Sequence, residues 1–234
     1  MKAKATIAVL GLILGFVSTH AYDFTEDFEN GIYWRTFPVS FEKYVDSASE
    51  GSVLDSLVAS AEGEWEDAVG SDLWTIPDGH HVSSSYTGNV IRWSNNFAAE
   101  TGYSPISTLA VTVRHRVGTY FSKVEIILNG EIARLRANSN NILYQTILHE
   151  LGHTIGIDHS EYTSAVMYAS LQGVNYLSDD DQDAVVAVVD EAIYRQSTGF
   201  VSTLAAGDDS SNGNMLACGS VALISNDDGK GPGS

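Results

Sequence analysis

His149-Glu150-Leu151-Gly152-His153-Thr154-Ile155-Gly156-Ile157-Asp158-His159-Ser160 reads H-E-x-x-H-x-x-G-x-x-H-S, and each fixed position has a physical task. On a helix, His149 and His153 lie four residues apart, so both imidazoles project from one face toward one point. Glu150 is placed to reach a water held at that point without being a ligand. Gly156 falls where the helix must stop, because glycine enters the left-handed conformation without a Cβ penalty. The turn it permits brings His159 back as a third nitrogen. Three neutral imidazoles leave one tetrahedral position of a zinc ion open to water, the catalytic arrangement. Zinc in such a site lowers the pKa of bound water to about 7.

This stretch resembles the zinc signature of the metzincin metalloproteases, and Ser160 directly after the third histidine resembles the matrixin (matrix metalloprotease-like, peptidase M10) branch. Ala165-Val166-Met167-Tyr168 is similar to the matrixin Met-turn, and Leu177-Ser178-Asp179-Asp180-Asp181 to the L-S-x-D-D that opens the last matrixin helix. Motif identity covers residues 140–195. The resemblance implies an α+β fold: a metzincin-like catalytic domain whose twisted mixed sheet of about five strands packs with three helices. It places a zinc cleft between the active-site helix and the Met-turn subdomain. It also implies one catalytic zinc on His149, His153 and His159, with Met167 as an apolar floor beneath them. An aspartate at the start of the last helix can, in the family, hold the free N-terminus. Some related families add a tyrosine ligand two residues after the methionine; Ala169 stands there, so no fifth ligand is expected. The H-x-D pattern of a second, structural zinc is missing, and no D-x-D-x-D-G loop marks a calcium site, which leaves calcium open.

Residues 1–21 have the plan of a secretory signal: Lys2 and Lys4, an apolar run from Ile7 to Val17, and the small-residue cleavage site Thr19-His20-Ala21. The apolar run is too short to span a bilayer. A secreted or extracellular chain is expected, periplasmic if the source is a Gram-negative bacterium, with no membrane span once the signal is removed. The mature chain, starting near Tyr22, would carry 10 basic and 30 acidic residues. That charge repels nucleic acid and anionic membranes, so neither is an expected partner. Cys218 is the single cysteine, which excludes an intramolecular disulfide. The reading divides the chain into a signal (1–21), a catalytic domain (22–196) and a Gly/Ser/Asp-rich tail (197–234) whose composition does not support a core of its own.

Between these landmarks, Phe37, Val39 and Phe41 alternate as in a strand, with Pro38 marking an edge or a start. Ser52 to Val69 carries the apolar stripe Leu54, Leu57, Val58, Ala61, Trp65, Ala68 and Val69 of a helix, with Ser52 and Asp55 as its cap. Leu73–Ile76, Val90–Trp93, Leu109–Val117 and Lys123–Asn129 read as strands. His80 and His81 follow a Pro-Asp-Gly turn and are expected in solvent. Asn141–Gly152 forms the active-site helix. Asp180–Arg195 forms the last one, capped by Ser178 and Asp181, with Val185, Val188, Val189, Ala192 and Ile193 facing in. By element order Leu109–Val117 takes the place of the matrixin strand that borders the cleft, where an extended substrate adds as an antiparallel strand; Val111 and Val113 would contact it. The function expected is a secreted zinc endopeptidase acting on protein or peptide substrates, with Glu150 moving the proton from water to the leaving amine. Two alternatives remain: a peptidase limited to small peptides, and an exported zinc-stabilised binding domain without significant catalysis. Oligomeric state is not legible.

Overall fold

The computed structural model describes residues 21–45, 48–207 and 215–222, with the backbone alone at 48–50, 206–207 and 215–222. The expected signal therefore lies, except for Ala21, outside the described residues. In chain order the elements are α1 (Glu26–Glu29), β1 (Val39–Ser40), β2 (Glu42–Tyr44), α2 (Ala48–Val69), β3 (Trp74–Thr75), β4 (Val90–Ser94), α3 (Phe97–Thr101), β5 (Thr108–Val117) and β6 (Tyr120–Asn129). There follow α4 (Ala133–Arg136), α5 (Ile142–Ile155), α6 (Asp179–Thr198) and β7 (Met215–Ala222). No helix among the described residues is long and apolar enough to cross a membrane.

The main sheet has the order β2-β4-β6-β5-β7, and β1 pairs with β3 in a separate two-stranded ribbon. β2, β4 and β6 run parallel, β5 is antiparallel to β6, and β7 is antiparallel to β5. Parallel neighbours need a crossover, and α2 supplies it between β2 and β4. The mixed five-stranded sheet and three long helices, α2, α5 and α6, agree with the α+β expectation. The fifth strand was not expected, because Met215–Ala222 lies in the tail. A segment with short apolar pieces and glycine-rich flanks has little strand preference of its own; the edge of β5 provides the ladder that it joins.

Helix α2 begins at Ala48, a turn before the expected cap. Asp55 consequently does not cap it; it accepts a hydrogen bond from the Gly79 amide (2.9 Å) and an ion pair from buried Lys43 (2.8 Å). His81 also turns to Asp55 (3.2 Å) and is only partly exposed, contrary to the solvated reading, whereas His80 is largely in solvent beside Glu42. On α6, Val185, Val188, Val189 and Ala192 are buried as expected, but Ile193 is 50% exposed. It lies one residue past the buried Ala192 and one before the exposed Tyr194, beyond the edge of the stripe.

Strand β5 is buried on both faces almost throughout. Its nominally polar side is turned inward because Thr112 and Arg114 each have a dedicated partner there. Arg114 donates from Nε and Nη2 to the two oxygens of Asp27 (2.7 and 3.0 Å) and from Nη1 to the His153 carbonyl (3.1 Å). Val111 and Val113 pack on the opposite side in a small cluster with Phe97 and Ile127.

Candidate metal centre

Helix α5 enters through a run of left-handed asparagines, Asn138, Asn140 and Asn141, the non-glycine type that tolerates this region best. Asn138 Oδ1 then accepts from the Leu143 and Tyr144 amides (3.0 and 3.3 Å), satisfying donors that the first turn leaves open. Three tryptophans fix the helix along its length. Trp65 Nε1 donates to the Leu148 carbonyl (2.8 Å), Trp34 Nε1 to the Thr154 carbonyl (2.8 Å), and Trp74 Nε1 to Thr154 Oγ1 (2.9 Å). The helix ends at Gly156, whose φ of 113° is left-handed, and the Ile157 amide closes back onto the Gly152 carbonyl (3.2 Å). This is a Schellman ending, and it turns the chain so that His159 faces the helix again.

His149, His153 and His159 converge. One ring nitrogen from each lies within 4.8 Å of the others, the one such group of three or more ligand side chains among the described residues. Nδ1 of His149 bonds the Val166 carbonyl (2.7 Å), and Nδ1 of His153 the Ile157 carbonyl (2.8 Å). A carbonyl oxygen only accepts, so both Nδ1 atoms carry hydrogen and both Nε2 atoms present lone pairs. Those two Nε2 atoms face each other at 3.0 Å. Two lone pairs so placed repel unless a cation sits between them. A tetrahedral zinc with Zn–N near 2.0–2.1 Å calls for nitrogens roughly 3.3 Å apart, close to this spacing. His159 Nε2 is buried and has no hydrogen-bond partner, as an open ligand position would be. Burial pushes the His149 pKa down to about 3, drives His153 well below its ordinary value, and lowers His159. All three are thus neutral, the form that binds metal. The donor set fits zinc.

Glu150 is not one of the clustered donors. It is fully buried, and its Oε2 accepts from Thr112 Oγ1 on β5 (2.6 Å). Met167 is fully buried against Gly152 of α5. The family model described as Matrixin (peptidase M10) matches residues 57–189, more than half of the chain. The chain belongs to the matrixin family. No curated protein is matched by the chain at a significant level. Matrixins are zinc metallopeptidases, acting on protein or peptide substrates, and are typically extracellular.

In this matrixin the three histidines converge, while Glu150 is held by Thr112 and Met167 lies against Gly152. Val111 and Val113 do not turn their side chains toward Glu150; only their main chain is available to a strand beside β5. Sequence reasoning missed Thr112, whose partner is 38 residues away. It also missed the Asp27–Arg114 pair, which ties the N-terminal segment to β5 and to the end of α5. Asp181 was read as a cap and is one: the Ser178–Asp181 capping box is formed. The same carboxylate accepts from the Val166 and Met167 amides (2.9 and 3.0 Å), a role that no local pattern indicates.

Proposed function

We propose that this matrixin is an exported zinc endopeptidase in which His149, His153 and His159 hold the metal and Glu150 is the general base and acid. The facing Nε2 lone pairs of His149 and His153 carry the metal half of the reading. Bound zinc supplies Lewis-acid polarisation of the scissile carbonyl and a water acidic enough to attack at neutral pH. Glu150 takes the proton of the attacking water and returns it to the leaving nitrogen, so the peptide bond breaks to a carboxylate and an amine. Thr112 supports this by holding one Glu150 oxygen in place. An extended substrate pairs with the main chain of β5 around Val111 and Val113. Residues 22–196 form the catalytic unit, between a signal (1–21) and the tail (197–234).

Export is supported by the setting of the expected cleavage point. The amides of Ala21 and Tyr22 both donate to Asp180 Oδ1 (2.9 and 3.2 Å). Cleavage after Ala21 would leave the Tyr22 ammonium beside that carboxylate, a charge-assisted contact stronger than the amide one. Sequencing the N-terminus of the exported protein tests this point. For the chemistry, the zinc-loaded chain and its Glu150→Ala twin are incubated with a diverse peptide mixture, and products are read by mass spectrometry. Internal cuts by the parent alone are expected. Cuts confined to peptide ends would replace endopeptidase with a small-peptide enzyme. Equal behaviour of the two proteins, with zinc measured in both, would sink the catalytic assignment.

A further inference from the structure

Strand β7 lies where the proposed substrate strand would lie. It pairs antiparallel along β5 from His115↔Met215 to Thr108↔Ala222, covering the side of β5 that β6 leaves free. The central pairs are Val113↔Ala217, Thr112↔Cys218 and Val111↔Ser220, so Gly219 is an extra residue bulged out opposite the Val111–Thr112 step. Thr112 is the residue that holds Glu150, and β7 also comes alongside α5, which carries Glu150 and two of the histidines. The strand Met-Leu-Ala-Cys-Gly-Ser-Val-Ala is uncharged in a chain with 30 acidic residues, which suits it to a buried edge.

We propose that Met215–Ala222 is a built-in occupant of the substrate edge, so that the chain's own C-terminal segment holds the enzyme in a latent state until it is displaced or removed. The inference rests on the peptidase reading above. Seven residues join Gly207 to Met215, and a tether of this kind gives an effective concentration on the order of millimolar. A strand with an affinity of only about 0.1 mM would then be docked roughly nine-tenths of the time. Substrate would meet about one competent molecule in ten, so release of the strand raises kcat/KM about tenfold.

Three zinc-loaded proteins test this: the full chain, a chain ending at Gly207, and the full chain carrying L216P and A217P. Successive residues of a strand point their amides to opposite sides, so one of the two prolines removes a donor to β5 whatever the register. Turnover of a quenched peptide library is measured for each. Hydrogen exchange of the Thr108–Val117 amides reports the pairing without reference to activity. In the Glu150→Ala background, a fluorescein-labelled peptide copying residues 214–223 reports access to the edge. About tenfold faster turnover in both released forms is expected, with β5 amides losing protection and the labelled peptide binding those forms only. Equal turnover and equal β5 exchange in the full chain and the proline variant would overturn the proposal, even if the truncated chain failed to fold. Inactivity of all three forms, with the labelled peptide still binding only the released ones, would reject the peptidase reading and uphold the occupancy of the edge.

Discussion

Gly152 sits in the middle of α5, where alanine is the better helix former by about 1 kcal/mol, so Gly152→Ala stabilises the protein unless something fills the space. Something does. A Cβ built there would lie 2.5 Å from Met167 Sδ, 3.1 Å from Met167 Cε and 3.0 Å from Trp65 Cζ2. Neither neighbour has room to retreat, since both are fully buried and the Trp65 indole is bonded to the Leu148 carbonyl. Overpacking of a closed core costs about 1–3 kcal/mol. Set against the helix gain, Gly152→Ala is expected to destabilise by about 1 kcal/mol. Met167→Ala removes the thioether and by itself costs about 2–5 kcal/mol. In that background the added methyl enters the vacated space, the helix gain survives, and Gly152→Ala turns neutral or stabilising. The coupling between the two sites is then about 2 kcal/mol, within the range for residues in contact. Urea unfolding of the four proteins at one fixed free-zinc concentration measures it, since bound metal adds to apparent stability. A Gly152→Ala protein as stable as its parent, or the same increment in both backgrounds, would refute the packing argument.

Asp27→Ala leaves Arg114 charged in a site with almost no solvent, and a loss of about 3–5 kcal/mol is expected from urea midpoints; a loss below 1 kcal/mol would mean that the guanidinium finds water or another acceptor. Thr112→Val removes the donor to Glu150 Oε2. A charge-assisted bond of about 1.5–3 kcal/mol predicts a kcat fall of roughly 10- to 100-fold with zinc content and KM little changed, and loss of zinc instead would assign Thr112 a structural part. Glu62 is pushed up to about 7 by burial first and by Glu66 second. A carboxyl with a raised folded pKa is favoured while protonated, so its contribution is full below about 4.5 and is lost as pH rises through 7. Glu62→Gln should match the parent near pH 4 and exceed it by on the order of 1 kcal/mol at pH 8, a value discounted because the group is partly exposed. Melting temperatures that run parallel across that range would exclude the effect.

The convergence of the three histidines was legible because its information is local. A spacing of four on a helix and a glycine at the helix end determine where three imidazoles go, and Gly156 adopts the required left-handed conformation. The Ser178–Asp181 cap was legible for the same reason. Thr112 and Arg114 were not, because alternation along β5 assigns polar residues to solvent unless their distant partners are known, and those partners are Glu150 and Asp27. The side chains of Val111 and Val113 pack with Phe97 and Ile127, contacts that alternation along the strand does not name. The strand in the tail was hidden for a third reason. Its structure comes from the edge that receives it, so its own composition carries little signal.

The acidic start of α6 shows how local and distant information combine at one site. Aspartates in a first helical turn are accounted for by the helix dipole alone, yet Asp180 and Asp181 are both buried. Asp181 accepts from Ser178 Oγ, from the Val166 amide and from the Met167 amide. Burial raises its pKa and these bonds act against that rise. The Val166 carbonyl, in the same turn, receives the Nδ1 hydrogen of His149. Asp180 accepts from Ser160 Oγ (2.6 Å), the residue after His159, and from the amides of Ala21 and Tyr22. One carboxylate thus orients a histidine of the helix through the Met-turn, and its neighbour braces the turn that carries the third histidine. The tautomer and direction of His149 are therefore properties of α6 as much as of α5. A motif confined to residues 149–160 names the three histidines and fixes His153 through the Ile157 carbonyl, but the aim of His149 and the placing of His159 also depend on two side chains some twenty residues further on.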